Sequence, residues 1–303
     1  MPAPRAIVGG AAALRGVALA ALCAGGWALT GFAGVGAGAS ASRHAVRADA
    51  SVDPASGEEQ EPARAPDSAE ARAQLVAALD AQSVRIDFEA GWAAIPCEVV
   101  VRGDLLEYLL VNRSGAAHES LFATEVAPSV LNAALLALGA TPGANARWVP
   151  KEGVEGRPAF DVVPPAGDGF YLHVAWRRAD ELHFHRLEDL VLDRASGGTL
   201  RRQKFVYLGS RMVALREGEP PVFAADIEGN LVNVSFFEAG RTLLTTATPE
   251  CVRQTVWLPN GWLLPQQGEA ATLVFARTRL SQVPAPLADL LVDLGPLKAP
   301  EAR

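Results

Sequence analysis

The chain has 303 residues, half of them hydrophobic and a fifth charged, with a net charge of −7. That length allows one large or two small domains with a sizeable core. The basic residues are scattered along the chain rather than gathered into a stripe, which excludes the electrostatic footprint of a nucleic-acid binder.

Arg5 and Arg15 precede GVALAALCAGGWALTGFAGVGAGASAS, residues 16–42, which carries no charge. A basic start, an apolar run and small residues at Ala39-Ser40-Ala41 read as an export segment over residues 1–42. It is either a signal peptide cut after Ala41 or a retained membrane anchor, since about 20 apolar residues suffice to span a bilayer. Both alternatives place the remainder outside the cytoplasm, in the periplasm or cell envelope. The protein is then soluble after cleavage or attached to the membrane through this segment. Leu22 precedes Cys23 where a lipoprotein signal needs a small residue, so Cys23 reads as an apolar residue of the segment. The two remaining cysteines, Cys97 and Cys251, are an even pair in an oxidising compartment: a candidate disulfide, or two separately buried thiols.

Residues 43–66, polar, mixed in charge and Pro-containing, read as a disordered linker. Over 67–83 a short amphipathic helix is predicted, with Asp67 as N-cap, Glu70 three positions on, and Leu75, Ala78 and Leu79 at helical spacing. At residue 84 the period changes to two: Val84, Ile86 and Phe88 alternate with charged residues, and CEVVVRGDLLEYLLVN reads as a hairpin about Arg102-Gly103-Asp104. Pro128, the stripe Leu131, Ala134, Leu135 and Leu138, and the stop at Gly139 and Pro142 predict a helix over about 128–140. Strands and turns follow, in FYLHVAW, ELHFHRL, KFVYLGS, PVFAADI, NLVNVSFF and ATLVFAR, with a hairpin turn at Glu228-Gly229-Asn230. The expected fold is α+β and β-rich: a mainly antiparallel sheet, curled or two-layered, with one covering helix at about 128–140. The globular domain spans 84–279, and residues 280–303 form a C-terminal tail.

Several stretches, LEYLLVN, HESLFAT, LLALGATPG, VAW before LEDLVLD, FVYLGS and GNLVNVSFF, stand in an order that resembles the YdjY-like domain over roughly residues 95–276. The resemblance implies an exported bacterial protein of the kind often found in planctomycetes, and it brings no established activity with it. The ferredoxin-like label sometimes given to an enteric relative does not transfer, because the cysteine runs that would ligate an iron–sulfur cluster are missing. Phe205 and Tyr207 stand where the family pattern has a Trp nearby, and Glu269 where a Gly-Thr pair is usual.

His118-Glu119-Ser120 is the sharpest candidate polar site, offering a base, an orienting acid and a nucleophile. In a strand, however, Glu119 would point away from both neighbours, and working triads are assembled from residues distant in sequence. No G-x-S-x-G elbow occurs, so no catalytic residue is assigned, and the triplet is expected to be architectural, its side chains pairing with local backbone. A metal site is the second candidate. Leu172, Val174 and Trp176 are expected to meet Leu182 and Phe184 across a turn near Arg177 to Asp180, which leaves His173, His183 and His185 together on the opposite face. Three imidazoles there could bind zinc, with His118 or an acid as fourth ligand; no other cofactor is implied. Glu188, Asp189 and Asp193 read as solvated acids where a strand meets a turn. The leading functional reading is a non-enzymatic extracytoplasmic module, binding or structural, whose protein or envelope ligand the sequence does not name. The alternative is a metal-dependent or His-dependent enzyme of hydrolytic class.

Overall fold

Ser68 opens the first helix, α1 (Ala69–Asp80), its hydroxyl accepting the N–H of Ala71 at 3.1 Å. The computed structural model describes residues 68–152, 159–236 and 241–297. The predicted export segment, the linker and Asp67 lie outside the described residues. Among those described, no helix is long and apolar enough to cross a membrane.

In chain order the elements after α1 are β1 (Arg85–Asp87), β2 (Trp92–Val99), β3 (Tyr108–Asn112), β4 (Ser120–Thr124), α2 (Pro128–Ala137), β5 (Arg147–Lys151) and β6 (Ala159–Val163). They continue with β7 (Gly169–Arg178), β8 (Glu181–Arg186), β9 (Val191–Asp193), β10 (Gly198–Thr199), β11 (Phe205–Tyr207), β12 (Met212–Val213) and β13 (Val222–Phe223). The last are α3 (Ala224–Glu228), β14 (Asn230–Asn233), β15 (Leu244–Thr245), β16 (Trp257–Pro259), β17 (Ala270–Ala276) and α4 (Ala285–Ala288).

Eight strands close into a barrel in the order β2, β17, β7, β11, β15, β14, β3, β4, with β4 returning to β2 through Glu98↔Ala123 and Val99↔Phe122. Two of the pairings, β3 with β4 and β14 with β15, are parallel, so the barrel is mixed. This corrects the expected curled or two-layered antiparallel sheet with one covering helix. The alternation that marks strands reports which face a residue takes, not which strand lies beside it. The hairpin expected at Arg102-Gly103-Asp104 is absent because β4 is inserted between β2 and β3. Gly229 does not turn a hairpin either: at φ 70° it ends α3 in the left-handed conformation before β14 begins.

The interior is filled by Ile95, Leu110, Phe122, Phe170, Phe205, Leu231 and Leu273, among others. α2 follows β4 directly and packs with α3 at the barrel end where β3 and β4 finish and β14 begins. Asp226 of α3 accepts the N–H of Ser129, and Tyr207 donates its hydroxyl to Asn132. At the other end Leu187, Leu190, Cys251 and Trp257 join the same core. β2 and β17 are buried on nearly every residue, because their outer face is covered as well: Trp92, Ala94, Val274 and Ala276 lie under Val283, Leu287 and Leu291. Residues beyond 279 therefore pack on the barrel, fastened where Asp293 accepts the N–H groups of Ala179 and Asp180 at the β7–β8 turn.

Candidate functional site

β9 ends in Asp193, which pairs with Gly198 of β10 on one side and Trp257 of β16 on the other. A 3₁₀ turn, Pro249–Val252, sets Glu250 and Arg253 against this small sheet and encloses a cleft of about 340 Å³, lined also by Ser196, Thr199, Arg201 and Thr248. Arg253 reaches Asp193 at 3.0 Å and Arg201 pairs with Glu250. Burial alone would raise the Asp193 carboxyl. The N–H of Ala195 at 2.9 Å, the Ser196 hydroxyl and the Arg253 charge outweigh it and hold the group below the usual carboxylate range. Arg253 is itself fixed: its guanidinium lies 6.0 Å from the Trp257 ring centre, and its carbonyl accepts the indole N–H at 2.8 Å. The cleft thus presents two cation–carboxylate pairs and three hydroxyl side chains.

Cys251, below the cleft, has the Thr248 hydroxyl 3.2 Å from its sulfur. Burial pushes its thiol up to about 11, so at neutral pH it is protonated and a poor nucleophile. Cys97, on β2, is likewise a buried free thiol raised by burial.

The sequence-predicted residues are dispersed around the barrel. His118 sits in a 3₁₀ turn (Ala117–Glu119) at the rim, 79% exposed in its side chain, with Glu119 3.8 Å away. Ser120 begins β4, fully buried, and its hydroxyl donates to the Phe122 carbonyl at 2.8 Å. The three histidines divide between two faces. The β7–β8 hairpin turns on two residues, Ala179 and Asp180, both at positive φ, so Arg178 pairs with Glu181 and Trp176 with His183. A two-residue turn pairs even-numbered with odd-numbered positions. His183 and His185 therefore join Trp176, stacking on its indole at 5.2 and 5.0 Å, while His173 falls on the other face against Phe184 at 5.0 Å. His173 is 1% exposed, its ring beside the Tyr171 and Leu280 backbone; burial, with Arg186 nearby, outweighs those contacts and pushes it down to about 4. Among the described residues no group of three or more metal-ligating side chains converges.

Of the acids read as solvated, Glu188 and Asp193 are buried and paired, while Asp189 is partly exposed and pairs with Arg202. Besides Asp193, Glu188 is fully buried, bound to Arg186 and accepting the N–H of Gln203 at 3.0 Å. The spacing Arg186-x-Glu188 was a local signal for the second pair; nothing local announces Arg253, sixty positions from Asp193.

A family model of the YdjY domain matches residues 79–276, well over half of the chain. The chain belongs to the YdjY domain family. No curated protein and no solved structure matches it. The YdjY match begins in the last turn of α1 and ends with β17, so it takes in every barrel strand and the cleft.

Proposed function

We propose that this YdjY domain is an extracytoplasmic binding module, carried out of the cytoplasm by its N-terminal segment and released or held at the membrane by it. The observation that carries the reading is the cleft. Arg201 with Glu250 and Arg253 with Asp193 set two positive and two negative groups around one concavity, with hydroxyls between them and no histidine on its walls. Its volume falls at the lower end of the roughly 300–1,000 Å³ typical of small-molecule sites. Such a lining suits a small zwitterion, whose carboxylate meets a guanidinium and whose ammonium meets a carboxylate. Among the described residues His118, Ser120 and the three β7–β8 histidines are dispersed, so the cleft is where polar groups converge.

Calorimetric titration with trialanine tests this directly, using its N-acetylated, C-amidated form as control. The free zwitterion is expected to bind and the blocked peptide not. Arg201→Ala, which removes a largely exposed side chain, should weaken binding by about tenfold. Equal binding of both peptides, or of neither, contradicts the assignment.

A further inference from the structure

Where β7 begins, the outer surface of the barrel gathers cations around a single phenol. Lys204 stands one residue before β11, whose Phe205 pairs with Phe170; Arg186 ends β8; Arg279 follows β17. The Lys204 ammonium is 5.3 Å from the centre of the Tyr171 ring, and the Arg186 and Arg279 guanidiniums are 5.8 and 5.2 Å from it. Arg186 is neutralised by Glu188. Lys204 and Arg279 are exposed and have no carboxylate partner among the described residues. In a chain of net charge −7, this concentration of positive charge runs against the overall balance. The cations repel one another within roughly a Debye length, about 10 Å at 0.1 M salt. The negative face of the ring offsets only part of that repulsion.

We propose that Tyr171, Lys204 and Arg279 form a binding site for a phosphate dianion. Two uncompensated cations match its two charges. The planar fork of Arg279 and the three N–H donors of Lys204 suit tetrahedral oxygens, and the Tyr171 ring holds both cations within about 5 Å of one point. His173, two residues along the same face of β7, is buried, and the positive charges of Arg186 and Arg202 add to burial in holding it neutral; the positive potential therefore reaches beyond the surface groups. The site is separate from the Asp193–Arg253 cleft and does not depend on what that cleft binds.

The test uses the full chain and two probes that carry the same group from different sources: inorganic phosphate, and phosphatidylcholine vesicles containing phosphatidic acid. Potassium chloride at matched ionic strength is the reference. Phosphate, or the phosphatidic acid vesicles, should bind above that reference, and the probe that binds more tightly identifies whether the group is free or displayed on a bilayer. The Lys204→Ala/Arg279→Ala double variant, which removes two exposed side chains, should lose at least about tenfold in affinity, while Arg279→Lys loses less. Binding of neither probe, or binding that survives the double variant and disappears instead in Arg201→Ala, overturns the proposal.

Discussion

Ser120 and His118 are neighbours in sequence that differ in every contact they make. The serine hydroxyl is buried and donates to the Phe122 carbonyl, whereas the histidine ring stands in solvent at the rim. Ser120→Ala should therefore lower unfolding free energy by about 1 kcal/mol. His118→Ala should stay within about 0.5 kcal/mol of the parent in the same urea titration. A larger loss at His118 than at Ser120 would mean that the rim is packed differently. The triplet's polarity was legible in the sequence; which member turns inward was not, because a 3₁₀ turn ending at Glu119 resets the alternation just before β4. His173 makes a second prediction. Its folded-state pKa, about 4, lies below the unfolded value near 6.5, so between these limits the unfolded chain binds the extra proton. Stability from this group is complete above about pH 6.5 and falls with pH by up to about 1.4 kcal/mol per unit until pH 4. His173→Phe, which keeps the stack on Phe184, should flatten that profile; urea midpoints measured at pH 7 and pH 5 will show whether the difference shrinks.

At the scale of elements, the sequence located most strands and the helix at 128–140 but not their partners. The β7–β8 hairpin shows why: its existence follows from two alternating runs and a polar break, but its register depends on whether the turn holds two residues or three. That choice is sealed by Asp293, far along the chain. In the same way β2 and β17 lack alternation because residues beyond 279 cover the outer face, a fact no local window contains. The β7–β11 pairing has a sharper requirement. A Cβ at Gly169 would collide with the Phe205 carbonyl, so the two backbones meet at a distance only glycine allows. Gly169→Ala is expected to cost about 1–3 kcal/mol, as overpacking does. Thermal unfolding should show it, and an unchanged melting temperature would place the two strands farther apart.

Over the whole molecule, a β-rich core was readable from composition and period, and the cleft was not. Its walls come from β9, the turn at 249–252 and β16, and its pairs join Asp193 to Arg253 and Arg201 to Glu250 across intervals that carry no spacing signal. Closure of the barrel is the feature on which the rest depends. It brings β4 between β2 and β3, buries Ser120, and leaves the sheet of β9, β10 and β16 to form the cleft at one end. An open sheet would instead leave β4 or β2 as a free edge with solvated amides. Closure rests on the contacts Glu98↔Ala123 and Val99↔Phe122 and continues in the N–H of Val100, which donates to the Leu121 carbonyl at 3.0 Å. Hydrogen–deuterium exchange resolved at the Val100 amide is the most direct measurement. A closed barrel predicts exchange slowed toward the rate of the central-strand Leu273 amide, whereas exchange as fast as an exposed strand edge would contradict closure.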